Sequence, residues 1–163
     1  MIRGVHHVAL STGDLDRMVE IYRDVMGFEQ AYESGWSDRP IVGLENSSAR
    51  NVMLRAGNAY IEIFEYSSPV GKPVDPNRPA CDHGYTHFCL DVKDIDSEYE
   101  RLVAAGMRFH CPPPPRDELG SGTIRATYGR DPDDNIIELQ EILDADVSTS
   151  LENTEMIGTG PVR

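Results

Sequence analysis

The sequence predicts an α+β protein in which a module of one strand, one helix and several further strands occurs twice in tandem. Three observations predict this fold. The segment that begins at His7 returns at His87, with the same Leu, Asp and Asp following at a constant offset of 80 residues. A helical stretch that ends at a glycine follows both segments. The strand motif Ile-Glu-Ile at residues 61–63 recurs as Ile-Glu-Leu at 137–139. Several matches in the same order indicate a duplicated module.

The first module, residues 1–66, begins with a predicted strand at about residues 4–11. Asp14 is placed to cap a helix over 15–26, because its carboxylate can accept the free N–H groups of the first turn. Apolar side chains recur in that helix at helical spacing, so one of its faces should pack on a sheet. Gly27 can adopt the left-handed conformation that ends the helix. Further strands are predicted at residues 29–33, 41–44, 52–55 and 60–66.

The second module, residues 83–143, repeats this pattern from His87 onward. Asp94 and Gly106 take the same capping positions around a helix at 95–105. The strands that follow are predicted at residues 108–110, 124–128 and 135–141.

The segments outside the two modules have different compositions. Residues 67–82 contain four prolines, which disfavour regular structure and predict an extended linker. The tail, residues 144–163, is polar, and we expect it to be either disordered or ordered only by packing on a neighbour.

Charge and cysteine content exclude several functions. Twenty-eight acidic and fifteen basic residues give a net charge of −13, which repels phosphate backbones and anionic lipid. No apolar run approaches the roughly 20 residues of a membrane helix, and the first residues lack the apolar segment of a signal peptide. Three cysteines without a CxxC pair favour neither a disulfide framework nor a zinc ribbon. We therefore expect a reduced, cytoplasmic protein that binds neither nucleic acid nor membranes.

Strand alternation predicts a metal site. Side chains along a strand alternate between its faces, so in four strands an ionisable residue lies opposite aliphatic neighbours. These residues are His7, Glu62, His87 and Glu138. Alone, such a His is more often a hydrogen-bonded core or rim residue, and such a Glu is usually solvated. Their recurrence in both modules favours one divalent cation, whose charge two carboxylates balance. Nitrogen and oxygen donors without thiolate suit Zn, Ni, Co, Mn or Fe.

These motifs resemble the vicinal oxygen chelate superfamily, which includes glyoxalase I, methylmalonyl-CoA epimerase, extradiol dioxygenases and the fosfomycin and bleomycin resistance proteins. The resemblance extends over about residues 3–143. It implies two tandem βαβββ modules that form a cup-shaped curled β-sheet around one metal ion, and a homodimer. The metal ligands that it implies are His7, Glu62, His87 and Glu138.

The resemblance also implies a reaction. Extradiol dioxygenases and fosfomycin-type proteins lack a carboxylate at the position of Glu62, whereas glyoxalase I has four ligands. A fourth anionic ligand leaves fewer open positions for O₂ on Fe(II). It favours an isomerase, epimerase or lyase that moves a proton next to a metal-polarised carbonyl through an enediolate-like intermediate. Glu138 is then the expected base and Glu62 the group that returns the proton. Glu45 stands about where the epimerases keep a second base, and a solvated surface role is expected of it equally.

Two other functions stay open at this point: an Fe(II)-dependent ring-cleaving dioxygenase, and a non-catalytic drug-sequestering resistance protein. The four polar residues argue against sequestration, because a hydrophobic cleft gains nothing from them. The sequence after Glu62 and the turn at 131–134 depart from glyoxalase I and the epimerases. The expected partner is therefore a small oxygenated metabolite, with no specific support for glutathione or coenzyme A. The modules of one chain can pair together or swap between chains.

Overall fold

The computed structural model describes Ile2 and residues 4–152, which fall into two compact units with one β-sheet each. One unit spans Ile2–Pro76, and the other begins at Asn77. The division falls inside the predicted linker, residues 67–82. No helix in this described part of the chain is long and apolar enough to cross a membrane.

The first unit contains a four-stranded mixed sheet in the order β1-β4-β3-β2. Strand β1 runs parallel to β4, and the other neighbours are antiparallel. The elements in chain order are β1 (His7–Thr12), α1 (Leu15–Val19) with a π-helical continuation (Glu20–Val25), β2 (Glu29–Ser37), a 3₁₀ turn (Pro40–Val42), β3 (Ser48–Ala56) and β4 (Ala59–Ser68).

The second unit repeats this topology. Its sheet has the order β5-β8-β7-β6, with β5 parallel to β8. The elements are β5 (His87–Asp91), α2 (Ile95–Ala104), β6 (Arg108–Phe109), a 3₁₀ turn (Arg116–Glu118), β7 (Ile124–Arg130) and β8 (Ile136–Ile142). The duplicated strand–helix–strands fold predicted from the sequence is therefore confirmed.

The helix boundaries also follow the sequence. A carboxylate oxygen of Asp14 accepts the backbone N–H of Arg17 at 3.1 Å, and Asp94 caps α2 in the same way through Ser97. Gly27 and Gly106 end the two helical stretches with φ angles of 81° and 95°, which glycine adopts without a Cβ penalty.

Two local predictions need correction. The strand predicted at 41–44 is wrong: Pro40 starts a 3₁₀ turn there, and Ile41 is 89% exposed, so no packing favours an extended segment. The helix predicted over 15–26 is α-helical only to Val19. Beyond that, the N–H of Met26 donates to the carbonyl of Ile21, the i−5 spacing of a π-helix.

The tail is described only in part. Residues 144–152 form turns, and Glu152 makes a 2.9 Å ion pair with Lys93. The rest of the predicted tail, residues 153–163, lies outside the described residues.

Each helix packs on the aliphatic face of its own sheet. In the first unit this buried face contains Leu10, Ile61 and Ile63, and in the second it contains Phe88, Ile137 and Leu139. Burying a side chain of this size stabilises the fold by roughly 1.5–3 kcal/mol. Because strand side chains alternate, burial of these residues places the intervening His and Glu residues on the opposite face of each sheet.

Candidate functional site

Strands β1 and β4 bring His7 and Glu62 together in the first unit. In their parallel register Ala9 lies opposite Glu62. Atom Nε2 of His7 lies 3.5 Å from Oε2 of Glu62, which exceeds the usual 2.7–3.2 Å of a hydrogen bond. The other ring nitrogen of His7, Nδ1, lies 3.0 Å from Nδ1 of His6. The ring therefore presents Nε2 to the carboxylate.

The second unit repeats this arrangement with His87 and Glu138. Cys89 lies opposite Glu138 in the parallel register of β5 and β8. Atom Nε2 of His87 lies 3.1 Å from Oε2 of Glu138, and its Nδ1 lies 2.9 Å from the hydroxyl of Thr86. Tyr128 packs edge-on against the imidazole ring at 4.9 Å between centroids.

The chemistry of the two pairs fits a divalent cation. In both, Nδ1 has another neighbour while Nε2 faces a carboxylate, as is common for metal-binding histidines held by a second contact. Imidazole nitrogen and carboxylate oxygen suit the first-row divalent ions. Among the residues that the structure describes, no group of three or more His, Cys, Asp or Glu side chains is placed to hold a metal ion. Each unit thus presents a two-donor pair.

The two glutamates have different surroundings. The amide nitrogen of Asn51 donates to Oε1 of Glu62 at 2.8 Å, and the hydroxyl of Ser34 donates to Oδ1 of Asn51 at 3.3 Å. Asn51 is buried, with 3% of its surface exposed. Neither Asn51 nor Ser34 was predicted from the sequence. The available signal was a polar residue directly before the apolar run 52–54 of β3, but the group that it contacts depends on strand register.

Near Glu138 the neighbours are a thiol and a phenol. Partial desolvation, followed by the charge of Glu138, raises the pKa of the surface-accessible Cys89 thiol to about 12. The same two causes, in the same order, raise the pKa of Tyr128. Both shifts favour the neutral thiol and phenol, which can donate hydrogen bonds to the Glu138 carboxylate.

Glu45, the third predicted catalytic residue, lies exposed in the turn before β3. Its side chain makes no hydrogen bond or ion pair with another described residue. The structure therefore gives Glu45 no visible connection to the His7–Glu62 pair.

An aromatic row continues along β4 from Glu62. The rings of Phe64 and Tyr66 stack at 5.8 Å, and Trp36 meets Tyr66 edge-on at 5.9 Å. Trp36 and Tyr66 line a groove of about 440 Å³ together with Arg50 and several serines. The half-buried state of these rings shows that they are not fully enclosed core residues.

The fold and the paired motifs place the chain in a known family. It belongs to the Glyoxalase/Bleomycin resistance protein/Dioxygenase superfamily, whose family model matches residues 4–139. The resemblance inferred from the sequence is therefore confirmed at the level of the superfamily.

Two relatives are epimerases. The chain is 36% identical over 107 residues to a 2-epi-5-epi-valiolone epimerase from an Actinomyces species, which covers 61% of this chain and 57% of that protein. It is 26% identical over 114 residues to the mitochondrial methylmalonyl-CoA epimerase of Dictyostelium discoideum, covering 68% and 61%. The matched region thus spans about three fifths of the length of these relatives.

Solved structures show the same fold. A glyoxalase family protein from Bacillus cereus matches with a TM-score of 0.76 and 19% identity, covering 88% of this chain and 96% of that one. A variant of the fosfomycin resistance protein FosX from Listeria monocytogenes, complexed with Mn(II) and 1S,2S-dihydroxypropylphosphonic acid, matches with a TM-score of 0.59 and 21% identity, covering 86% and 93%. At these identities the match establishes the fold alone.

Proposed function

We propose that this protein is a metal-dependent enzyme that moves a proton on the carbon next to a carbonyl group, as an epimerase, isomerase or lyase. The observation that carries the proposal is the duplicated His–Glu pair, with a separation of 3.5 Å in one unit and 3.1 Å in the other. The names of the two epimerase relatives favour epimerisation among these reactions.

In this proposal one divalent ion, Zn, Ni, Co, Mn or Fe, is held by both pairs. The four ligands are His7, Glu62, His87 and Glu138. Two carboxylates balance the charge of the ion, and the nitrogen and oxygen donor set suits these metals. When bound, the ion supplies Lewis acidity toward a carbonyl oxygen, which makes the adjacent C–H more acidic.

The chain's own residues then carry the proton. Glu138 acts as the base that removes the proton from the carbon, while the bonding electrons pass toward the carbonyl oxygen. Glu62, from the other module, delivers a proton taken up from water to the opposite face of the carbon, which gives the epimer, and Glu138 releases its proton to water before the next turnover. Glu45 is the alternative group for this return. The protonated Cys89 and Tyr128 provide neutral hydrogen-bond donors beside Glu138.

The proposed substrate is a small oxygenated metabolite with a carbonyl group. The aromatic row of Trp36, Phe64 and Tyr66 offers flat apolar faces for its carbon skeleton. Neither the segment after Glu62 nor the turn at residues 131–134 specifically supports a glutathione or coenzyme A carrier.

We further propose that the protein is a homodimer, as the family resemblance implies. The expected mass in light scattering is twice that of one chain, and a monomer mass would contradict this. Mixing His7→Ala with His87→Ala protein then reports how modules pair: recovered metal binding indicates pairing between chains, and no recovery indicates pairing within a chain.

Solvent deuterium exchange tests the proposed reaction. Protein loaded with Mn²⁺ or Zn²⁺ is incubated in D₂O with a panel of α-hydroxycarbonyl compounds, and loss of the C–H signal is followed by proton NMR. We expect exchange with at least one compound, and a loss of about 100-fold or more in Glu138→Gln, since a positioned base contributes typically 10²–10⁴-fold. Glu45→Gln is the comparison. If this change has little effect on the exchange rate, proton return is assigned to Glu62.

Two outcomes would contradict this function. Oxygen consumption with catechols after Fe(II) loading, without deuterium exchange, would assign a ring-cleaving dioxygenase. If the protein is purified without metal, and neither chelators nor added metal change its melting temperature, the result would indicate drug sequestration.

A further inference from the structure

We propose that Asn51, itself oriented by Ser34, is a positioning residue that restricts Glu62 to binding a metal ion through Oε2 alone. This inference rests on the proposed function, because it assigns Glu62 to a metal site. It goes beyond that function by dividing the two oxygens of one carboxylate between two tasks. Oε1 is held by the protein, and Oε2 is left for the ion and for the proton that Glu62 carries.

The three side chains form a continuous hydrogen-bonded row across three neighbouring strands. Ser34 on β2 lies opposite Asn51 on β3, and Glu62 on β4 lies diagonally across from Asn51, opposite Met53. The Ser34 hydroxyl donates to Oδ1 of Asn51 at 3.3 Å, and the Asn51 amide nitrogen donates to Oε1 of Glu62 at 2.8 Å.

The direction of this row fixes the amide group. An asparagine side chain has one accepting and one donating end. Because an ionised carboxylate can only accept, the NH₂ group faces Glu62, and Oδ1 is left to accept from the Ser34 hydroxyl. The hydroxyl therefore donates to the amide, the amide donates to the carboxylate, and the carboxylate is the final acceptor of the row.

Burial makes the contact persistent. Asn51 is 3% exposed, so water has little access to replace Glu62 as the partner of its amide. A buried donor that loses its acceptor pays its full desolvation cost, and a bond to a charged acceptor is stronger than a neutral one. Oε1 is therefore occupied, while Oε2 lies 3.5 Å from Nε2 of His7.

At the equivalent position in β7 the second unit has no amide side chain. Asn51 lies opposite Phe64, the residue two positions after Glu62. The corresponding position, opposite Gln140, two residues after Glu138, is Ala126. An alanine side chain cannot donate a hydrogen bond, so the amide restraint belongs to Glu62, whereas Glu138 has the Cys89 thiol and the Tyr128 hydroxyl as its neighbours. The pairs thus differ in which groups hold their carboxylates.

Metal affinity tests the inference without relying on turnover. Mn²⁺ binding is measured by calorimetry for the wild type, Asn51→Ala, Glu62→Ala and the double variant. We expect Asn51→Ala to weaken binding about 10-fold or more, the range for residues that orient a metal ligand. In the Glu62→Ala background the same change should have little further effect, because its target is gone.

Asn135→Ala provides a matched control. The amide of Asn135 also donates to a carboxylate at 2.8 Å, that of Asp131, which is outside both His–Glu pairs. We expect this variant to keep the wild-type Mn²⁺ affinity. A general loss of packing would weaken binding in both Asn variants, whereas a positioning role weakens it in Asn51→Ala alone.

The outcomes separate this inference from the proposed function. Unchanged affinity in Asn51→Ala, or an equal loss in the presence and absence of Glu62, overturns the inference alone. If Asn51→Ala does not fold, Ser34→Ala carries the test, with a smaller weakening that again depends on Glu62. If neither His7→Ala nor Glu62→Ala changes the affinity for Mn²⁺, both proposals are overturned. If Asn51→Ala weakens Mn²⁺ binding only when Glu62 is present, and no compound undergoes deuterium exchange, the inference is supported and the proposed function is overturned.

Discussion

At the scale of single residues, Gly129 shows how an absent side chain sets local packing. It lies in β7 opposite Phe109, whose ring covers it. A Cβ at position 129 would lie 2.9 Å from two atoms of that ring, closer than carbon atoms pack. The glycine is therefore required by the neighbouring ring and not by its backbone conformation.

Gly129→Ala should destabilise the protein by about 1–3 kcal/mol, the usual range for overpacking a fitted site. Urea unfolding measures this change. Gly35→Ala is the control, because its Cβ would meet only the Ala49 carbonyl oxygen at 3.7 Å, and its effect should stay within about 0.5 kcal/mol. Equal losses in the two variants would contradict the packing argument.

At the scale of secondary-structure elements, each unit contains the same ion cluster. An arginine of the third strand bridges an aspartate in the first turn of the helix and a glutamate in the last strand. The two clusters are Asp16–Arg50–Glu65 and Asp96–Arg125–Glu141. They connect the helix to its sheet, and they differ mainly in burial.

That difference decides the expected cost of losing each arginine. The Arg125 side chain is 3% exposed and Glu141 is 7% exposed, whereas Arg50 is 44% exposed. Arg125→Met should cost up to about 3–5 kcal/mol, because it removes the buried cation beside Glu141, which keeps Arg116 and the backbone N–H of Asp94 as partners. Arg50→Met should cost about 1 kcal/mol or less, as exposed pairs do. Similar unfolding free energies for both variants would show that burial does not govern these clusters.

The same cluster predicts a dependence of stability on pH. Hydrogen bonding to Arg125, with its charge, lowers the pKa of Asp96. A carboxyl whose folded pKa is lowered contributes stability above its ordinary pKa of about 4, and this contribution is lost as pH falls through the folded value. The melting temperature of the wild type should therefore exceed that of Asp96→Asn at pH 6, and the difference should shrink below about pH 4.

Asp96 is largely exposed, so solvent screening keeps this difference small. A melting-temperature difference that stays constant from pH 6 to pH 2.5 would rule out the ion pair as its source.

At the scale of the whole molecule, the duplication was readable from the sequence because its signals are local. Capping aspartates, helix-ending glycines and strand alternation each depend on a few neighbouring residues. They predicted both helical stretches and the face on which His7, Glu62, His87 and Glu138 lie. The false strand at 41–44 shows the limit of this reasoning, since an apolar run without a packing partner stays irregular.

Contacts that depend on strand register could not be predicted in this way. Asn51 meets Glu62 only because β3 and β4 pair with a particular offset, and Arg125 meets Asp96 across 29 residues of sequence. The Asn51–Glu62 contact leaves no repeat in the sequence. The arginines and glutamates of the ion clusters do recur at nearly the same offset as the His–Glu motif, but this repeat does not show which side chains meet.

The binding of one ion by both His–Glu pairs is tested most directly by metal stoichiometry. Protein equilibrated with Zn²⁺ or Mn²⁺ and freed of excess ion is analysed by inductively coupled plasma mass spectrometry, alongside the alanine variants of His7, Glu62, His87 and Glu138. We expect one bound ion per chain and a marked loss of metal in each of the four variants. Two ions per chain, or full metal content after removal of either histidine, would contradict it.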